Sequence, residues 1–256
     1  MKDAVHNTGS FQHSDPAWRA PIELPDSFLS PSDIRPGDII YTRRAKGYQR
    51  LTAIAGDTWR HIGLATSISG CTWMAAMTPD GNAAHPLPSF LSRYDTIAVQ
   101  RLTPCDEECA LQLHHDVIAD MNLPAAFHSK PELASIGLLS LGRLAKTPRR
   151  FERTRVRLID HLLNRPGFGT RSICTTPIAR NLWRLCPDHR VRLDVSSSKH
   201  KRATDQSPIA HLQLALPDDV WRAMCPHTES FWIKKDDELS PVYSDETDHC
   251  THDMLA

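Results

Sequence analysis

The chain has 256 residues, 40% of them hydrophobic, and its 30 Lys and Arg side chains balance 30 Asp and Glu. That is long enough for one substantial domain, or two small ones, with a real core. No window approaches a membrane-spanning apolar length, and the opening MKDAVHNTGSFQHSD lacks the apolar centre of a signal peptide.

The expected location is therefore cytoplasmic, with export by a non-classical route left open. The seven Cys are an odd number without framework spacing, which fits a reducing compartment better than a disulfide scaffold.

In chain order, residues 1–30 are rich in Pro, Ser and charge and read as a flexible arm. A globular pattern begins at SDIRPGDIIYTRR, where Pro36-Gly37-Asp38 signals a turn and Ile39, Ile40 and Tyr41 are β-formers. Strand-like runs follow in HIGLATSI, CTWMAAM and DTIAVQRL, spaced by turn residues such as TPDGN. The period then changes: DEECALQLHHDVIADMN, PELASIGLLSLGRLAK and the basic RRFERTRVRLIDHLLNR read as helices, a helical insertion over about 105–165. A further helix follows Cys174. Residues 194–208 are polar and aperiodic, HLQLALPDDVWRAM reads as strand, turn and helix with Asp218 or Asp219 near the helix start, and 236–256 read as an acidic disordered tail.

The stretch GTRSICTTPIARNLW places Cys174 at the head of a helix whose apolar positions are Ile178, Leu182 and Trp183. The N–H groups and dipole there favour a thiolate, which is the nucleophilic form. A Cys nucleophile needs a base, and His61 opens the apolar run HIGLATSI, with Gly63 placed for a close backbone neighbour. Local pattern alone leaves a His at a surface strand end as the commoner alternative.

The ordered set IRPGDIIYTRR, TWRHIGLATSI, HPLPSFLSRYDTIAVQRL, RSICTTPIARNLW and LALPDDVWRAM resembles the permuted papain-like NlpC/P60 superfamily. Its nearest branch is the YiiX/YebB-like group, which is related to the lecithin:retinol acyltransferase-like proteins. The resemblance runs over about 31–233, with a divergent middle. It implies His61 as base and Cys174 as nucleophile. It also implies a polar third residue on the strand after the His, where Ala75 falls in this alignment; His85, Asp80 or a backbone carbonyl are the substitutes expected near Nδ1. Thr175-Thr176 stand where the family prefers Ser-Glu, and Ile173 where it has an aromatic.

Cys105 and Cys109 with His114 and His115 faintly suggest zinc ligands, but no second Cys pair completes a ribbon, and ordinary helix residues are the favoured reading. Cys71, Cys186 and Cys225 read as core or near-core thiols, and Cys250 and His252 as tail residues without a structural role. The run Arg143 to Arg165 fits a solvated helix face, an anionic membrane surface next, and nucleic acid least, since it lacks interleaved aromatics.

The expectation is thus an α+β, permuted papain-like domain over residues 31–235: a small antiparallel barrel or sheet packed on the Cys174 helix. It acts as a cysteine hydrolase on peptide, amide or lipid-ester substrates, through Cys174, His61 and His85, with no cofactor or metal. The alternatives are a lipid acyltransferase or lipase-like enzyme, or a non-catalytic module of the same fold.

Overall fold

The computed structural model describes residues 22–43, 58–78, 81–94, 96–103, 107–122, 126–127, 171–185, 215–225 and 228–233, with single positions between 132 and 166. Its strands are β1 (Ser27–Leu29), β2 (Ile39–Arg43), β3 (His61–Ile68), β4 (Cys71–Thr78), β5 (Gly81–Pro86), β6 (Thr96–Leu102), β7 (Ala126–Phe127), β8 (Arg171–Ser172) and β9 (Thr228–Ile233). The helices used below are α1 (Leu87–Leu91), α2 (Glu107–Met121), α3 (Thr176–Leu185) and α4 (Pro217–Met224).

Seven strands form one mixed sheet in the order β1-β9-β6-β2-β3-β4-β5, antiparallel except for β1 against β9. The α+β expectation holds. The order runs from edge to edge among the described residues, so the sheet is open and the barrel alternative is not what forms.

The centre of the sheet follows from β2. Ile39, Ile40 and Tyr41 are all fully buried, which requires cover on both faces. Alternation sends Ile39 and Tyr41 into a cluster with Ile62, Leu64, Leu113, Val117, Ile178, Ala179, Leu182 and Trp221. Ile40 goes to the other face, with Ala65, Met74, Leu87, Phe90 and Val99. Helices α2, α3 and α4 thus cover one face and α1 the other. Each such aliphatic side chain contributes about 1.5–3 kcal/mol on burial.

The Pro36-Gly37-Asp38 turn forms as read. Gly37 has φ +92° and donates its N–H to Ala65 O at 2.9 Å. Buried Asp38 accepts from Arg35 N at 2.8 Å and takes Arg101 through both oxygens at 2.9 and 2.7 Å, tying the turn to β6. Gly63 confirms the close approach expected there: a Cβ would collide with Met74 and lie 2.8 Å from Ala75 O.

Three expectations are corrected. Residues 22–30 are not all arm, because β1 pairs with β9 and Glu23 O accepts Trp221 Nε1–H at 3.0 Å. β5 occupies a stretch whose Gly, Asn and Pro read as turn. Cys71 and Cys109 are each disulfide-bonded, which removes Cys71 from the core thiols and Cys109 from any zinc set, and weakens the premise for a reducing compartment. The helix expected over Glu107–Met121 is present. Residues 1–21, 194–208 and 236–256, and most of the basic run over 143–165, lie outside the described residues. Among the described residues no helix is long and apolar enough to cross a membrane.

Candidate active site

Cys174 sits in the turn immediately before α3. Thr176 Oγ1 accepts Ile173 N–H at 3.1 Å, Thr176 N–H donates to Ile173 O at 3.0 Å, and Ala179 N–H reaches Thr175 O at 2.8 Å. The Thr175 hydroxyl donates to Ala215 O, anchoring the turn to the entry of α4. The two threonines that replace the Ser-Glu of the resemblance are therefore the cap and anchor of the Cys174 turn.

The backbone N–H groups of Ile62, Thr175 and Cys174 itself lie close enough to the Cys174 sulfur to favour its thiolate. The Ile62 amide is available because pairing between β3 and β4 runs from Leu64↔Ala75 to Ile68↔Cys71, leaving Ile62 beyond it. Burial pushes the thiol up to about 11 despite these donors, which pull the other way.

His61 is adjacent to Ile62 at the start of β3 and is 5% exposed. Thr42 O accepts Arg60 N–H at 2.9 Å while Thr42 also pairs with His61, so two residues face one. That is a β-bulge, a device that re-aims side chains at a strand end. The imidazole lies 6.2 Å from the Phe90 ring, and the His85 ring lies 6.3 Å from the same ring. Burial, then the neighbouring His85, lowers His61 to about 4. Burial, then Arg93, also lowers His85. His61 Nδ1 is buried without a hydrogen-bond partner.

The structure thus places His85 beside His61 and Cys174 near Ile62, but the His61 ring lies against Phe90 of the second cluster whereas Cys174 packs against the first, on the other face of the sheet. Among the described residues no group is hydrogen-bonded to Nδ1, and Asp80 lies outside them. Ala75 pairs with Leu64, where the described β3–β4 ladder ends, three residues after His61.

Sequence reasoning noted Asp218 only as a residue near a helix start. Its buried carboxylate accepts Thr58 N–H at 2.9 Å and Trp59 N–H at 2.7 Å, fixing the approach to His61 from the far end of the chain. Desolvation raises the Asp218 carboxyl, with those two N–H groups opposing. Asp219 Oδ2 accepts Leu216 N–H at 2.8 Å and caps α4. The Pro-Asp-Asp step was the signal for both roles.

Among the described residues no zinc set is assembled. Cys109 is disulfide-bonded, His114 shares a hydrogen bond with the Thr66 hydroxyl at 2.6 Å, and Cys105 lies outside the described residues.

No family model matches the chain, and no curated protein matches it. Five solved chains do. One is the crystal structure of the metalloprotein yiiX from Escherichia coli O157:H7, DUF1105, at 10% identity and a TM-score of 0.36, covering 79% of this chain and 97% of that one. A likeness at that level carries no argument about chemistry.

Proposed function

We propose that this protein is a cysteine hydrolase of the permuted papain-like kind, acting on an amide, peptide or ester carbonyl. The observation that supports this reading most is the position of Cys174 in the capped turn at the head of α3, where the Ile62, Thr175 and Cys174 N–H groups favour the thiolate. At neutral pH the thiol and the imidazole are both uncharged, with Cys174 near 11 and His61 near 4. Proton transfer therefore accompanies attack rather than preceding it.

In this reading Cys174 Sγ adds to the carbonyl carbon as its proton passes to the His61 imidazole, which rests against Phe90 on the other face of the sheet and must turn toward the sulfur to take it. The N–H groups at the head of α3 stabilise the oxyanion. The intermediate collapses as the imidazolium protonates the leaving amine or alcohol, giving a Cys174 thioester. Water, or an acceptor hydroxyl in an acyl transfer, resolves it as His61 takes the second proton.

One observation favours a non-catalytic module instead: the same burial that neutralises both groups opposes the ion pair a highly reactive thiol would use. An electrophilic acyl probe separates the two. Labelling of Cys174 that is lost in Cys174→Ala and falls at least about a hundredfold in His61→Ala supports the hydrolase. Labelling indifferent to His61 overturns it.

A further inference from the structure

Thr42 of β2 and His61 of β3 are direct cross-strand partners, so their side chains share one face of the sheet. Alternation along β2 puts Thr42 on the face of Ile40, and pairing with β6 sets it beside Ile97. Alternation along β3 puts His61 on the face of Ala65. Ile40, Ile97 and Ala65 all belong to the cluster around Phe90. Both Thr42 and His61 are buried there, yet neither the Thr42 hydroxyl nor His61 Nδ1 has a hydrogen-bond partner among the described residues.

Each buried orphan is costly, and the two are complementary. The side chains flanking Thr42 on this face are Ile40, Ile97, Val99 and His61, and of these only the imidazole carries an atom that can hydrogen-bond. Directly opposed residues of antiparallel strands hold their Cβ atoms about 4.5–5.5 Å apart, so a change of Thr42 rotamer brings its hydroxyl into range of the ring nitrogen nearest the backbone. The hydroxyl is then the donor. Its proton has no other acceptor among these neighbours, and a buried donor left unpaired is rarer than an acceptor oxygen left partly used. With Nδ1 as acceptor, the neutral ring carries its own proton on Nε2.

We propose that Thr42 is the positioning residue of His61: its hydroxyl donates to Nδ1, holds the ring against Phe90 and fixes the Nε2–H tautomer. The orienting group that the resemblance puts on the strand after the histidine stands here on the strand before it in the chain. The consequence for catalysis rests on the hydrolase reading. An imidazole held in this way is a donor at Nε2, and it takes the Cys174 proton at Nδ1 only once Thr42 releases it and the ring turns. The Thr42–His61 hydrogen bond itself does not depend on that reading.

The test is heteronuclear magnetic resonance of the imidazole nitrogens in the isotope-labelled full chain near neutral pH, where a ring titrating at about 4 is uncharged. His61→Gln identifies the His61 signals among those of the 14 histidines. Wild-type His61 is expected in the Nε2–H form. Thr42→Val keeps the shape and removes the hydroxyl, and is expected to shift the tautomer ratio about fivefold or more toward Nδ1–H. Thr42→Ser is expected to restore the wild-type ratio. An Nδ1–H ring in the wild type overturns the proposal without any variant. So does a ratio indifferent to Thr42→Val, or a shift in Thr42→Val that Thr42→Ser does not restore. Acyl-probe labelling of Cys174 in the same proteins separates this from the hydrolase reading, under which Thr42→Val labels about threefold faster or more because the ring turns freely. A shifted tautomer with unchanged labelling supports the Thr42–His61 bond and overturns only the hydrolase reading.

Discussion

The Asp218 carboxylate accepts the Trp59 N–H at 2.7 Å across 159 residues of chain, two positions before His61. With Thr58 N–H on its other oxygen, it fixes the path by which β3 begins. Asp218→Ala leaves two part-buried or buried N–H groups without an acceptor and is expected to cost about 2–4 kcal/mol. Asp218→Asn keeps one acceptor oxygen but turns a donor toward the other N–H, and is expected to fall between Ala and wild type. Urea unfolding of the three proteins measures this; equal midpoints would show that the carboxylate does not hold β3.

Gly63 leaves no room for a side chain, since β4 crosses it with the Ala75 carbonyl 2.8 Å from where a Cβ would stand. Gly63→Ala is expected to destabilise by about 1–3 kcal/mol through forced displacement of β4. Adding Met74→Ala relieves the side-chain collision but not the one with backbone, so the double variant is expected to stay below the single Met74→Ala in thermal midpoint. Full recovery in the double variant would place the whole strain on Met74.

Much of this architecture was legible. β2, β3, β4 and β6 stand where β-branched and apolar runs are bounded by turn residues, and α2 and α3 where the period becomes helical. β5 and β9 were not: GNAAHP carries turn formers and becomes a strand because β4 supplies its ladder, and TESFWI has no alternation. The position of a third residue beside His61 was read by alignment, and the described pairing of β3 with β4 does not reach His61. Ser69 and Gly70 both have positive φ and form a two-residue hairpin turn, with Ile68 paired to Cys71. That turn sets the register, which puts Ala75 beside Leu64 at the end of the ladder. Disulfides at Cys71 and Cys109 were not legible, because pairing depends on distance in the fold rather than on spacing.

Continuing the β3–β4 register three residues beyond its last pair brings Thr78 opposite His61, so removal of its hydroxyl is expected to register in the imidazole. Thr78→Val preserves shape and removes the hydroxyl, and is expected to alter the His61 ring resonances in nuclear magnetic resonance and to change the Cys174 alkylation rate by about threefold or more. Ala75→Ser, on the position facing Leu64, is expected to leave both unchanged. The reverse pattern would return the orienting position to residue 75.

The two buried titratable groups bound the pH range of stability from opposite sides. His61 titrates at about 4 in the fold and at 6.5 as an unperturbed group. Because its folded value is depressed, the unfolded chain binds the proton first. The favourable contribution of the neutral ring is complete above 6.5 and is lost as pH falls from there through 4, to at most about 3 kcal/mol. Cys174 runs the other way, from 9.0 up to about 11. Its thiol form supports the fold fully below 9.0, and that support is lost as pH rises through 11. Unfolding free energy is therefore expected to plateau between about pH 6.5 and 9 and to fall on both sides. His61→Gln should flatten the acid limb and leave the alkaline one, and Cys174→Ala should do the converse, whatever each does to absolute stability. Denaturant unfolding in parallel buffers reads this directly. An acid limb that persists unchanged in His61→Gln would mean that other groups, such as His85 and His114, carry the acid sensitivity.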